Sequence, residues 1–378
     1  MRYRVAAVIV LLVAMLLSWG LGTTTAMPLG GGSSTAGELQ ERRGGLRRAE
    51  AGPLEPAASN ADLALAIDPV PLVQVMIDQV DREPLVEYIG ALSGEWPVLI
   101  GGEPYTITTR YTYSGEPIQK SVEFVGQHLE ALGLEVEYHS WQQGRPPNVI
   151  GERRGEARPD DVFILSAHLD SLASGSPMTL APGADDNASG VATVLLAADI
   201  LSQYEGDCTL RFALWTGEEQ GLLGSQSYAE RASVAGEGIA GVLNLDMIGW
   251  DAIEGPDIDV HADQSVAGSM ELAQLFAGVV EAYDLQLVPE VVPDGIGASD
   301  HASFWRYGYA AILGIEDYVP SRHDFNPYYH TDQDQLDALD LEYLVEYAKA
   351  AIGAFAHMGC LAPESPYEWH FYLPLVAR

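Results

Sequence analysis

Lysine is nearly missing from this chain: Lys120 and Lys349 are the only two in 378 residues. Arginine does little to redress the balance, because 19 basic side chains face 54 acidic ones and the net charge is −35. Nucleic acid and anionic membrane surfaces are both held through clustered Lys and Arg, so this charge excludes them as partners. It fits a solvated acidic surface that keeps an exported protein soluble, although a salty habitat would produce the same numbers. Cysteine is almost as scarce, with only Cys208 and Cys360. In an oxidising compartment the two could form one disulfide, joining the start of a core strand to the end of the last helix. Sequence does not supply the distance that such a bond demands.

Long hydrophobic runs are missing too, except at the N-terminus. Arg2 and Arg4 precede an unbroken apolar stretch from Ala6 to Leu17, and Thr24 and Ala26 form a small-x-small site. This is the layout of a secretory signal peptide over residues 1–26. An apolar run of about 12 residues is short for an uncleaved membrane anchor, and no cysteine lies near the cut to carry a lipid. The segment has two arginines and no acid, so its removal leaves a charge of −37. The mature protein is expected to be extracellular, with no stable membrane association.

Residues 27–68 are rich in Gly, Ala, Ser, Pro and Arg and read as a linker or pro-segment. The pattern changes from Asp68 onward, and residues 69–362 form the expected catalytic domain. Helices are expected over Val70–Leu92, Lys120–Leu132, Ser189–Tyr204, Leu222–Ala232, Met270–Tyr283 and Leu341–Met358. In the last of these, Leu341, Leu344, Val345, Ala348, Ile352 and Phe355 recur at helical spacing. Strands are expected over Leu134–Trp141, Asn148–Glu152, Val162–Ala167, Thr209–Trp215, Gly241–Leu245 and Ala310–Ile315. Alternation of this kind means an α/β fold, a mostly parallel central sheet with helices on both faces. Such sheets place their sites at the C-terminal ends of strands. The tail, residues 363–378, contains the aromatic run Trp369 to Val376, readable as a terminal strand or a sorting signal.

The chemically useful residues fall where that architecture wants them. After the third expected strand comes His168-Leu169-Asp170, in which Asp170 can hold the His168 imidazole and fix its tautomer. Alone, a His-x-Asp is more often a surface hydrogen bond. Pro182-Gly183-Ala184-Asp185-Asp186-Asn187 opens a helix that Asn187 or Ser189 caps. Its two acids by themselves could merely serve that cap and the helix dipole. Gly217-Glu218-Glu219 follows another strand, and paired glutamates repel unless a cation justifies them. Asp246 ends Leu243-Asn244-Leu245-Asp246, and His330 sits in the loop Tyr328-Tyr329-His330-Thr331.

Singly these segments are unremarkable, but together they supply two His and at least three carboxylates. Zinc accepts both ligand types, and catalytic zinc keeps a position open for water. Two His and three carboxylates suit two Zn2+ if one carboxylate bridges them. Two zinc ions about 3.5–4 Å apart activate a shared water for amide hydrolysis.

From about residue 70 to 360, the order and spacing of these segments, with Ser299-Asp300-His301, resemble the secreted bacterial dinuclear zinc aminopeptidases. The resemblance implies a zinc-exopeptidase-like (phosphorylase/hydrolase-like) fold and peptide substrates with a free N-terminus. It places His168, Asp186 and Glu219 on the first zinc and Asp186, Asp246 and His330 on the second. It makes Glu218 the general base, Asp170 the partner of His168, and Tyr329 the oxyanion stabiliser that some members carry. Chemistry alone does not choose His330 over His301 or His323; the resemblance does. A carboxypeptidase or dipeptidase would share the metal site, a glutaminyl cyclase of similar fold works with one zinc, and a non-catalytic relative would lack ligands.

Overall fold

The computed structural model describes residues 67–252, 255–318 and 324–361. The expected signal peptide (1–26), all but the end of the linker and the tail (363–378) lie outside them. Two short helices open the described chain, α1 (Pro71–Ile77) and α2 (Arg82–Ser93), where the hydrophobic pattern predicts one. The reason for the break is local. Asp81 accepts from the Arg82 amide at 2.7 Å and caps α2, and Pro84 falls in its first turn, where a missing N–H costs nothing.

A small hairpin, β1 (Val98–Ile100) and β2 (Glu103–Tyr105), leads to α3 (Glu116–Ala131) and β3 (Glu135–His139). Next come β4 (Asn148–Arg153), β5 (Arg158–His168), α4 (Gly190–Leu201), β6 (Cys208–Trp215), α5 (Leu223–Ala235) and β7 (Ile239–Leu245). The chain closes with β8 (Asp257–His261), α6 (Ser269–Ala282), β9 (Val288–Val292), α7 (His301–Trp305), β10 (Ala311–Glu316) and α8 (Leu341–Met358).

Eight strands form one sheet in the order β3-β4-β6-β5-β7-β10-β8-β9. Its centre, β6-β5-β7-β10, is parallel, as expected. The pairs β3–β4, β4–β6 and β10–β8 are antiparallel, so the sheet as a whole is mixed. Sequence reading passed over β8 and β9. The first carries acids at Asp257 and Asp259, and the second contains Pro289, which an edge strand tolerates.

Strand β5 shows how the sheet is covered. Phe163, Leu165 and Ala167 face the large cluster shared with α4 and α8, while Val162 and Ile164 face Tyr228 and Phe304 on the other side. Both faces are apolar because both carry helices, hence the unbroken hydrophobic run. β5, β6 and β7 are adjacent and parallel, so their C-terminal ends, His168, Trp215 and Leu245, emerge along one edge.

Cys208, at the start of β6, is bonded to Cys360, which follows α8, with Cα atoms 5.5 Å apart. No described helix is long and apolar enough to cross a membrane. The bond closes a loop across 152 positions, and removing such a constraint costs about 2–4 kcal/mol. Replacing both cysteines with serine should therefore lower the thermal unfolding midpoint, and reductant should destabilise the native protein but not the variant.

Candidate metal centre

Every candidate ligand sits at or just past a strand end or in a turn held by main-chain hydrogen bonds. His168 is the last residue of β5 and is fully buried. Its Nδ1 lies 3.0 Å from the main-chain carbonyl of Asp170, which makes Nδ1–H the donor and leaves Nε2 free for the site. Asp170 thus orients His168, but through its backbone and not through the carboxylate that alternation predicts. The strand ends at His168, so the alternation does not extend to residue 170. The Asp170 carboxylate instead accepts from Thr112 Oγ1 at 2.6 Å and from the Glu218 amide at 3.2 Å.

Gly183 stands in the left-handed region (φ 53°), and a side chain there would press on the Asp186 carbonyl. The turn it starts separates the two adjacent acids. Asp185 accepts from the Gly249 amide and from Asn326 Nδ2, both at 2.8 Å, so its carboxylate faces the scaffold. Asp186 faces the site. Asp334 accepts from both of their amides, at 2.9 and 3.0 Å. Asn187 caps α4 through Oδ1 and ties the turn to β7 by donating to Leu245 O at 2.8 Å.

Past β6, Gly217 (φ 77°) turns the chain so that Glu218 and Glu219 reach inward. Asp246 follows β7, and His330 comes from a distant loop held by Ser174 N to His330 O at 2.7 Å. The contacts fall into two sets. His168 Nε2 is 3.3 Å from Asp186 Oδ1 and 3.2 Å from Asp246 Oδ1. His330 Nε2 is 3.2 Å from Asp186 Oδ2 and 3.0 Å from Glu219 Oε2. Asp186 therefore stands between the two imidazoles. The ligand atoms of His168, Asp186 and Glu219 also lie within 4.8 Å of one another.

The electrostatics are those of a site built for cations. Buried Asp186 Oδ2 and Glu219 Oε1 make no hydrogen bond, and among the described residues no Lys or Arg is bonded to Asp186, Glu218, Glu219 or Asp246. Burial pushes Glu218 well above the usual carboxylate range. Glu219 is raised to about 7 by burial and by Asp186 beside it. Burial opposes charge on His330, but Asp186 and Glu219 outweigh it and raise its pKa to about 10.

Tyr329 lies flat on the His330 ring, centroids 3.7 Å apart. Of the alternative histidines, His301 is buried away from the cluster, with Nε2 2.7 Å from Ile296 O and a pKa lowered to about 3 by burial. His323 lies outside the described residues. Asp334 went unnoticed in sequence as part of the site, since an acid near a turn carries no distinguishing pattern, and Asn187 was read there only as one of two possible helix caps.

Two recesses open from the cluster. One, of about 70 Å³, continues past the ligands to an apolar wall of Met247, Ile296, Leu313, Ile315 and Phe325. The other, about 470 Å³, is bordered by Glu218, Glu219, Leu222, Gln226, Ala298, Tyr329 and His330. A larger hollow near α2 and α3 touches none of these residues, and the chemistry marks the smaller pair as the site.

Residues 148–355 match the family described as Peptidase family M28. Leucine aminopeptidase 1 of Trichophyton rubrum is 31% identical over 252 residues, covering 64% of this chain and 65% of that protein. A probable leucine aminopeptidase of Trichophyton verrucosum (strain HKI 0517) is 32% identical over 252 residues, covering 65% and 64%. The chain thus spans just under two thirds of these relatives. LapB from Legionella pneumophila superposes with a TM-score of 0.65 at 20% identity, covering 79% of each chain, and shows the same fold.

A bound cation must displace protons from His168, His330 and Glu219. Apparent zinc affinity, measured by chelator competition, should therefore fall as pH falls, by at least about tenfold per unit below pH 10 and more steeply below pH 7. A pH-independent affinity would contradict the charge arrangement.

Proposed function

As the chain belongs to peptidase family M28, we propose that it is a secreted aminopeptidase that uses two zinc ions to remove residues from the N-terminus of peptides. The observation that carries this reading is that Asp186 stands between two imidazoles, Oδ1 beside His168 and Oδ2 beside His330, with Asp246 on the first imidazole and Glu219 on the second. The side chains fit the ions: imidazole nitrogen and carboxylate oxygen are zinc donors, and buried oxygens without partners call for a cation.

The contact distances favour one refinement of the sequence-based assignment. His168 Nε2 sits between Asp186 Oδ1 and Asp246 Oδ1, and His330 Nε2 sits between Asp186 Oδ2 and Glu219 Oε2. One zinc would then be held by His168, Asp186 and Asp246, the other by Asp186, Glu219 and His330. Glu219 moves from the company of His168 to that of His330.

Bound zinc supplies a Lewis acid for the scissile carbonyl and a water of lowered pKa. Glu218 shares the recess without contacting either imidazole, and its carboxylate is the general base. Its amide is pinned by Asp170, which keeps the carboxylate in place while it takes a proton from the attacking water and returns it to the leaving amine. The Tyr329 hydroxyl is assigned to the oxyanion. Its ring, stacked on His330, borders both recesses.

The apolar wall of Met247, Ile296, Leu313, Ile315 and Phe325 suits an aliphatic N-terminal side chain such as leucine, and the wider recess takes the departing peptide. Export follows from the signal layout of residues 1–26, and the Cys208–Cys360 bond suits an oxidising compartment.

Glu218→Gln should keep close to two zinc per chain while kcat on leucine p-nitroanilide falls about 10²–10⁴-fold. Retention of turnover would remove Glu218 from its role. The native enzyme should cleave Leu-Gly-Gly and ignore its N-acetyl form. Chelation should abolish activity and added zinc should restore it; activity surviving exhaustive chelation would refute metal catalysis.

A further inference from the structure

Arg110, on the segment between β2 and α3, is fully buried and neutralises no carboxylate directly. Its guanidinium donates to four main-chain carbonyls: Nε to Leu169 O at 2.8 Å, Nη1 to Leu92 O at 2.7 Å and Pro182 O at 2.6 Å, and Nη2 to Gly183 O at 2.8 Å. These acceptors belong to three separate pieces of chain. Leu92 is in the last turn of α2, Leu169 directly follows His168, and Pro182-Gly183 leads into Asp186. Two further hydrogen bonds close the same joint, Arg110 N to Ser171 Oγ at 3.2 Å and Ser171 Oγ to Ala181 O at 2.8 Å.

The turn is also packed against the guanidinium. A Cβ on Gly183 would lie 2.2 Å from Asp186 O, 2.7 Å from Ser171 Cβ and 3.1 Å from Arg110 Nη2. Burial of the cation is unfavourable by itself, and the fields of Asp334, Asp186, Asp170 and Glu219 work in its favour.

Building on the two-zinc reading, we infer that Arg110 is a positioning residue for the metal centre, its planar fork setting the separation between His168 and the bridging carboxylate of Asp186. Its charge also offsets repulsion among the surrounding acids without competing for their ligand oxygens. Lysine would keep the charge, but a single ammonium cannot span three segments as a rigid fork does.

The test compares the full-length native protein with Arg110→Lys and Gly183→Ala, the second of which keeps the arginine and disturbs the same turn. Zinc Kd is measured by chelator competition, the ligand field by Co(II) absorption, and folding by thermal melts. Arg110→Lys should bind the weaker of two metal ions about 10–100-fold less tightly. Both variants should show an altered Co(II) spectrum while still melting cooperatively.

If the native chain binds two ions and Arg110→Lys holds them with unchanged Kd and spectrum, the positioning role is overturned and the two-zinc reading stands. If Arg110→Lys does not fold, or melts earlier with unchanged metal binding, Arg110 is a scaffold residue only, which also overturns it. A native chain that binds fewer than two ions overturns the two-zinc reading and this inference together.

Discussion

Like charges crowd the C-terminal edge of the sheet. Asp186, Glu218, Glu219 and Asp246 all reach one small volume, and two imidazoles are the only described groups there able to answer them. In a medium of lowered dielectric such a cluster repels strongly, and burial together with that repulsion raises the pKa values of Glu218 and Glu219. The surrounding architecture holds these groups together in spite of that repulsion, and a cation is what would turn it into attraction.

Much of the holding is done by main-chain hydrogen bonds. Asp334 grips the amides of Asp185 and Asp186, Asp170 grips the amide of Glu218, Asp185 grips that of Gly249, and Arg110 grips carbonyls on three segments. Side chains that bind backbone do not compete for the oxygens that face the site. They fix turns that strand geometry cannot, because Asp186, Glu219, Asp246 and His330 all lie outside the strands. Buried polar networks of this kind hold one conformation only when their members are satisfied. Asp186 Oδ2, which meets only the His330 imidazole, and Glu219 Oε1, which makes no hydrogen bond, therefore mark where the network opens to something else.

The sheet makes such turns coincide. β5, β6 and β7 are adjacent and parallel, so three loops distant in sequence leave along one edge. α4 follows the Asp186 turn and buries its apolar side under β5 and β6, anchoring the loop from behind. His330 is the outlier: it reaches the site from a long loop after β10, and the bond from Ser174 brings it home.

The amino-acid pattern alone determined the parallel core, because unbroken apolar runs such as Val162–Ala167 make sense only between two layers of helices, and it placed the acidic and His-bearing segments at strand ends. It also held the composition of the site, since residue type is chemistry. Where signals were weak it fell short: Pro84 and Asp81 divide a helix that hydrophobic spacing joins, β8 is short and carries two acids, and β9 contains a proline. Residue chemistry left open which of two adjacent acids faces inward and which histidine completes the cluster, and only the resemblance named Asp186 and His330; the fold supplies the physical reason, since Gly249 and Asn326 claim Asp185 and Ile296 claims His301. Tertiary structure alone decided that Asp170 acts through its carbonyl, because the strand ends at His168, and that Glu219 stands beside His330. Apart from the Asp170 bond, these outcomes depend on distances between residues far apart in the chain, and local sequence carries no record of such distances.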